Sequence, residues 1–197
     1  MTKRIFDIGV SALGLLILAP LLAAIALCIK IESSQPVLYR QERTGRFGRR
    51  FRIHKFRTMH NDADRQGLPI TIGTDPRVTR TGRWLRRYKL DELPQLVDVL
   101  RGDMSLVGPR PEVPKYVATY PPEVRDVVLS VRPGITDLAS IAFRDESALL
   151  GRSPDPERTY VQHVLPAKLR QNAEYVKQHS VFGDVAIILR TVGVLLR

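Results

Sequence analysis

The chain has 197 residues, one cysteine (Cys28) and a formal net charge of +11 from 31 basic and 20 acidic residues. That length gives one compact domain with a real core, a lone cysteine excludes a disulfide framework within the chain, and the charge calls for anionic partners: phosphates, nucleic acid or lipid. The sequence has no internal repeat, no Walker phosphate loop, no Gly-x-Gly-x-x-Gly, and no helix-turn-helix, zinc or RNA-binding signature, which argues against a nucleic-acid reader.

From Ile8 to Ile29 no residue is charged. The run is long enough to span a bilayer. It is too long for a signal peptide and lacks a clear cleavage site. Pro20 sits in its middle, removes a backbone hydrogen bond and predicts a kink. Both flanks are basic: Lys3 and Arg4 before, Lys30, Arg40 and Arg43 after. The positive-inside rule puts both flanks in the cytoplasm. A straight span cannot satisfy that, whereas a segment that dips in, bends at Pro20 and returns can, if the freed polar groups are satisfied locally. The residues alone leave spanning and re-entrant both open.

Pro36 to Tyr39 reads as a short strand, and Arg40 to Arg50 as a basic loop with Gly45 and Gly48 as turn residues. Phe51, Ile53 and Phe56 alternate among bases, giving a strand that ends near Lys55-Phe56-Arg57. Two readings fit: a solvated basic hairpin, or a surface that faces lipid head groups or phosphates. His54 reads as structural. Asn61 to Asp75, polar with Gly67 and Gly73, predicts a mobile loop over the site. Thr79 to Tyr88 predicts a helix with Trp84 and Leu85 turned inward.

The stretch 86–112 organises the rest. Leu93, Leu96, Val97 and Leu100 recur at helical spacing, Gly102 stops the run, and Pro94 is tolerated in a first turn. A short helix therefore begins near Asp91 or Glu92, with both carboxylates where the macrodipole favours negative charge. An isolated Asp-Glu pair is usually an N-cap and its first-turn partner. Here the pair lies among Arg86, Arg87, Lys89, Arg101 and Arg110 and ahead of the rigid Gly108-Pro109-Arg110-Pro111. That setting suits an anionic substrate, a divalent cation and a carboxylate nucleophile or base.

Beyond it, Val113 to Tyr120 and Pro122 to Ser130 read as short helices, and Arg132-Pro133-Gly134-Ile135-Thr136 as a rigid turn leading a strand back to the site. Glu157 to His179 reads as a helix interrupted at Pro166; His163 and His179 lack metal-ligand spacing. Val181 to Arg197 places Val185, Ile188, Leu189, Val192, Leu195 and Leu196 at helical spacing, as a core helix or one lying on a membrane. The fold class is α/β, a small irregular sheet with peripheral helices. Without a long series of strand-helix repeats, a Rossmann glycosyltransferase fold is not expected.

Several of these motifs occur together and in order: Lys3-Arg4-Ile5-Phe6-Asp7, Lys55-Phe56-Arg57-Thr58-Met59, Leu90-Asp91-Glu92-Leu93-Pro94-Gln95-Leu96, Gly102 to Pro111, and Arg132 to Thr136. In this the chain resembles the bacterial sugar transferase family, monotopic polyprenyl-phosphate phosphoglycosyltransferases. The resemblance implies a re-entrant helix-break-helix over residues 1–31 bent at Pro20, and a cytoplasmic catalytic domain with interfacial helices over 32–197. It implies transfer of a sugar phosphate from a UDP-sugar to polyprenyl (undecaprenyl) phosphate with release of UMP, the initiating step of O-antigen, capsule or exopolysaccharide synthesis. It assigns Asp91 as the nucleophile of a covalent aspartyl-phosphosugar intermediate and Glu92 as the Mg²⁺ ligand, with Asp91 beside the metal. It places phosphate-binding bases at Arg86, Arg110 and Arg144, with Lys55, Arg57 and Arg132 in support, Arg87 being the alternative to Arg86. Location follows as the cytoplasmic face of the bacterial inner membrane, with membrane lipid a partner, nucleic acid not one, and a homodimer left open. The alternatives are a membrane-anchored basic scaffold and a nucleic-acid-binding protein; neither accounts for the acid pair. Two departures stand out: Ala19 where the family often has serine before the proline, and Leu138-Ala139-Ser140-Ile141 where it commonly shows a Trp-Ala-Gln-Val-like run.

Overall fold

The computed structural model describes residues 2–60, 63, 70–73 and 75–195. The loop predicted over 61–75 falls largely outside them, as do Leu196 and Arg197 of the last predicted helix.

Helix α1 (Thr2–Glu32) is 31 residues long and stays helical through Pro20, so the predicted break does not interrupt it. Leucine and alanine around Pro20 are strong helix formers, and both halves of the helix are held from outside. At about 46 Å it exceeds the thickness of a bilayer core, yet both ends rest on the same body. Near its start, Lys3 pairs with Asp184 and donates to the Val107 carbonyl at 3.1 Å. Arg4 donates to the Val99 and Leu100 carbonyls at 2.6 and 3.1 Å. Asp7 is buried and accepts from Ser105 Oγ at 2.8 Å and the Leu106 N–H at 3.2 Å. Near its end, Ile25 and Ile29 pack on Phe56 and Leu85, and Glu32 accepts from the Arg80 and Thr81 N–H groups at 2.9 and 3.1 Å. The opposite face leaves Leu13, Leu16, Ile17, Leu27 and Ile31 exposed. Lys3 and Arg4, expected as flanking charges, are thus also clasps.

The strands are short. β1 (Leu38–Tyr39) pairs antiparallel with β4 (Lys55–Phe56), and β2 (Glu42–Thr44) with β3 (Arg50–Arg52). Helix α2 (Arg80–Arg87) follows, N-capped by the Thr79 side chain on Gly82 N–H. Leu85 on it is fully buried, but Trp84 is 50% exposed, which corrects the expectation that both turn inward. Adjacent helical positions lie about 100° apart, and Leu85 takes the inward one. A 3₁₀ helix over Leu90–Gln95 leads into α3 (Leu96–Arg101), which ends at Gly102 with φ of 88°.

β5 (Ser105–Val107) pairs in parallel with β6 (Gly134–Thr136). The chains approach closely here: a Cβ on Gly134 would lie 2.1 Å from the Gly108 nitrogen, and one on Gly108 would lie 2.6 Å from the Arg132 carbonyl oxygen. Between them run α4 (Pro114–Val117) and α5 (Pro122–Val128), and after β6 come α6 (Leu138–Ala142), α7 (Glu146–Gly151) and α8 (Pro156–Thr159). The helix predicted over Glu157–His179 is divided: a π turn over Tyr160–Val164 separates α8 from α9 (Leu165–Gln178), with Pro166 in the first turn of α9. Pro166 lacks the N–H that a continuous helix needs there. Helix α10 (Val181–Leu195) closes the described chain.

The core has three parts. One gathers Tyr116, Val128, Leu150, Tyr160 and Leu169. A second packs Val99, Met104 and Val107 against Phe6, Leu15 and Leu18 of α1. The third joins α1 to Phe56 and Leu85. Gly134→Ala has nowhere to place its methyl and is expected to cost about 3 kcal/mol. Gly9→Ala, whose Cβ meets nothing within 4 Å, is expected to be neutral or stabilising by up to about 1 kcal/mol. Thermal unfolding of the two variants in the same detergent checks the contrast.

Candidate active site

Asp91 and Glu92 do not cap an α-helix. They sit in the first turn of the 3₁₀ helix, entered through Lys89 at φ 54°, and the α-helix begins only at Leu96. Pro94 explains the offset: it disfavours α conformation at the residue before it and donates no hydrogen bond. The tight turn holds both carboxyl groups inward, 1% and 5% exposed.

Two buried carboxylates side by side need compensating charge. β4 supplies Lys55, whose Nζ lies 2.7 Å from Asp91 Oδ2 and 3.3 Å from Glu92 Oε1. The turn after β5 supplies Arg110, which grips Glu92 with both nitrogens, Nη1 to Oε2 at 3.1 Å and Nη2 to Oε1 at 2.5 Å. Burial pushes the Glu92 carboxyl up, but Arg110 and Lys55 outweigh it and hold the group well below the usual glutamate range. Glu92 in turn raises the Arg110 guanidinium. Asp91 Oδ1 is buried and has no hydrogen-bond partner among the described residues.

Arg86 comes from the inner face of α2. Its Nε donates to Thr58 Oγ1 and its Nη1 to Thr71 Oγ1, each at 2.8 Å, and it feels the charges of Asp91 and Glu92. Arg87 is exposed over the Tyr88 ring, so Arg86 is the one that faces the pair. Lys55, Arg86 and Arg110 therefore converge with Asp91 and Glu92. Three other predicted bases make contacts elsewhere. Arg57 donates to the Pro36 carbonyl, and Arg132 donates to the Gly102 carbonyl at 2.7 Å, bracing the end of α3. Arg144 is exposed and donates to the Val194 carbonyl near the end of α10, at 2.5 Å. Its place in the sequence after the Arg132–Thr136 turn says nothing of how far α6 carries it.

A supporting layer escaped the sequence reading. Arg43 donates to the Pro111 carbonyl at 3.0 Å, and Tyr160 donates to Glu112 Oε1 at 2.6 Å, so the segment that carries Arg110 is held from two sides. Asp137 is buried, caps α6 through the Ser140 N–H, and its carboxyl is pushed up by burial against the nearby Arg110 charge. The only sequence signal was the position of Glu112 and Asp137 next to motifs already noted. His54, read as structural, is buried against Asp98, Nδ1 to Oδ1 at 2.5 Å.

For a divalent cation, the chemistry of the donors is suitable but incomplete. Mg²⁺ takes carboxylate oxygens, often one or two from protein and the rest from substrate phosphates and water. Among the described residues no group of three or more metal-ligating side chains stands together. Two adjacent carboxylates, one with an uncommitted oxygen, fit a cation shared with a phosphorylated substrate and not a protein cage.

The geometry sets a buried acid pair, compensated by Lys55 and Arg110, on a small α/β body fastened to a long apolar helix. The sequence matches the bacterial sugar transferase family over residues 1–197, and the chain belongs to that family. It is 42% identical over 208 residues to an undecaprenyl-phosphate glucose phosphotransferase of Komagataeibacter xylinus, covering 98% of this chain and 35% of that protein. It is 39% identical over 207 residues to a UDP-glucose:undecaprenyl-phosphate glucose-1-phosphate transferase of Caulobacter vibrioides, covering 100% of this chain and 70% of that protein. It is 36% identical over 196 residues to a UDP-N-acetylgalactosamine-undecaprenyl-phosphate N-acetylgalactosaminephosphotransferase of Aeromonas hydrophila, covering 98% of this chain and 43% of that protein. The chain thus spans less than half the length of two of these three relatives.

Because Glu92 is held below the ordinary value of 4.5, its pairing stabilises the fold above that pH, and the contribution is lost as pH falls through the lowered value. Glu92→Gln is expected to unfold at lower temperature than the parent at pH 7. The gap should narrow steadily below about pH 4.5, as followed by thermal melts from pH 7 to pH 3.

Proposed function

We propose that this chain transfers a sugar phosphate from a UDP-sugar to polyprenyl phosphate and releases UMP, through a covalent intermediate on Asp91, as the initiating step of a lipid-linked glycan. The observation that carries the reading is the buried Asp91 Oδ1, without a hydrogen-bond partner among the described residues, in a carboxyl group whose other oxygen pairs with Lys55 and whose neighbour Glu92 is held by Arg110. A nucleophile needs one oxygen free, and its neighbours must tolerate an incoming anion.

In the first step an Asp91 oxygen attacks the phosphorus bonded to the sugar. The bond from that phosphorus to the bridging oxygen breaks, and UMP departs with the electron pair. In the second step a phosphate oxygen of the polyprenyl phosphate attacks the same phosphorus, and Asp91 leaves as carboxylate. Two steps allow substrates of unlike solubility to be bound in turn. Arg110 and Arg86 orient the diphosphate oxygens, with Arg110's planar fork able to hold two at once. Lys55 keeps the acid pair compensated while the donor arrives. Glu92 would hold Mg²⁺, with Asp91 beside it, and the ion when bound neutralises diphosphate charge. Arg144 is kept as a donor ligand only if it leaves the Val194 carbonyl.

We also infer that residues 1–31 lie in the membrane from one side. The support is physical: a run without charge, and clasps at Lys3, Asp7 and Glu32 that tie both ends of α1 to one body. A bend at Pro20 and an in-plane helix are two ways to satisfy that tie. The body then sits at the cytoplasmic face, with α10 exposing Phe182, Leu189 and Val192 beside α1.

Incubating the protein with labelled UDP-sugar, Mg²⁺ and no lipid should add one sugar phosphate to the peptide containing Asp91. Asp91→Asn should abolish that adduct, and intersecting double-reciprocal kinetics with no adduct would favour direct transfer in a ternary complex. Arg110→Lys keeps charge but loses the fork, and is expected to lower UMP release about 100-fold with the melting temperature nearly unchanged. For topology, cysteines placed at Thr2 and Ser34 in a Cys28→Ser background should both resist labelling from outside intact cells; labelling at position 2 alone would restore a single span.

A further inference from the structure

Helix α2 has two faces with different duties. Its inner face buries Leu85 against Ile25 and Ile29 of α1, sets Gly82 on the Thr58 backbone and aims Arg86 toward the acid pair. Its first turn is capped by Glu32, the last residue of α1, so the helix is joined directly to the end of the apolar segment. Its outer face presents Arg80, Arg83, Trp84 and Arg87, all exposed, continued by Tyr88. Trp84 and Tyr88 meet edge to face with centroids 5.8 Å apart, and the Arg87 guanidinium lies 5.7 Å from the Tyr88 ring centroid. Helix α2 itself carries no acidic residue, and Glu32, the carboxylate at its start, is committed to backbone N–H groups.

We propose that the outer face of α2 rests on anionic lipid headgroups, with Trp84 and Tyr88 at the interface and Arg80, Arg83 and Arg87 on lipid phosphates. The occupant follows from continuity and charge. The outward apolar residues Leu27 and Ile31 of α1, 61% and 78% exposed, bring the apolar surface to the point where α2 begins. Amphipathic aromatic rings settle at the headgroup level, and arginines near the surface are drawn to anionic lipid. The same eight-residue helix carries Arg86 inward. Headgroup contact therefore fixes the height and bearing of the acid pair above the bilayer, where a lipid-borne phosphate arrives.

The contact rests on the membrane placement of α1 and is independent of the chemistry at Asp91. Trp84 is the single tryptophan of the chain, so the unmodified protein reports on it. The protein is placed in nanodiscs of phosphatidylglycerol or of phosphatidylcholine, with and without brominated acyl chains, and emission is read with acrylamide as the aqueous quencher. The expected result in phosphatidylglycerol is quenching by brominated lipid and an acrylamide constant at least twofold lower than in phosphatidylcholine. Arg83→Gln with Arg87→Gln should erase that difference. Equal acrylamide access in both discs with no effect of bromine overturns the contact. So does shielding from both quenchers that grows with protein per disc, which would mean that a second copy covers α2. Failure to co-elute with the discs sinks the placement of α1, whereas co-elution with Trp84 in water sinks the α2 contact alone.

Discussion

The fold is arranged around two adjacent carboxyl groups held out of water, at Asp91 and Glu92. A buried carboxylate without a partner is costly, and two in sequence repel one another as well. Asp91 and Glu92 are made tolerable by Lys55 from one side and Arg110 from the other. Those bases come from distant parts of the chain, and each has its own scaffold. Lys55 lies on β4, paired to β1. Arg110 follows the β5–β6 ladder, where the glycine-to-glycine approach brings the two segments together. Behind Arg110, Arg43 fixes the segment through the Pro111 carbonyl and Tyr160 through Glu112. The pair is thus compensated while one oxygen, Asp91 Oδ1, is left without a hydrogen-bond partner among the described residues.

The second constraint is that a helix without charge from Ile8 to Ile29 must be attached to this polar body. Apolar packing does part of it, through Ile25, Ile29, Leu15 and Leu18. Direction and register come from polar contacts. Asp7 reads the backbone of β5, and Glu32 reads the first turn of α2. The helix is thus gripped near the strand that leads to Arg110 and near the helix that carries Arg86. Active site and apolar helix share their supports.

Much of the site was legible because its parts are local in sequence. The acid pair, the rigid turn ending in Arg110 and the strand carrying Lys55 each lie in short motifs whose residue types state their chemistry. What the sequence hid was mostly angular or long-range. Trp84 and Leu85 are neighbours with opposite fates, since a helix rotates by about 100° per residue and the pattern around them is too short to fix its phase. Arg144 was placed by order along the chain, but α6 intervenes and turns it toward α10. The 3₁₀ form of Leu90–Gln95 follows from Pro94, yet apolar spacing alone reads it as the start of an α-helix. Tyr160 and Arg43 had no signal for this role, because they act through Glu112 and the Pro111 carbonyl and touch neither Asp91 nor Glu92.

The clasp between Lys3 and Asp184 spans 181 positions, and that separation sets an order of assembly. The apolar helix is made before its partners: the strand that receives Asp7 lies 98 residues later and Asp184 later still. At roughly 5–20 residues per second, some 10 to 40 s pass before the last partner exists. Through that interval Lys3 and Asp7 lack the partners that they hold in the finished fold. Closing the clasp is therefore a late event in biogenesis. The joint between α1 and the rest of the body is complete only once α10 has been made.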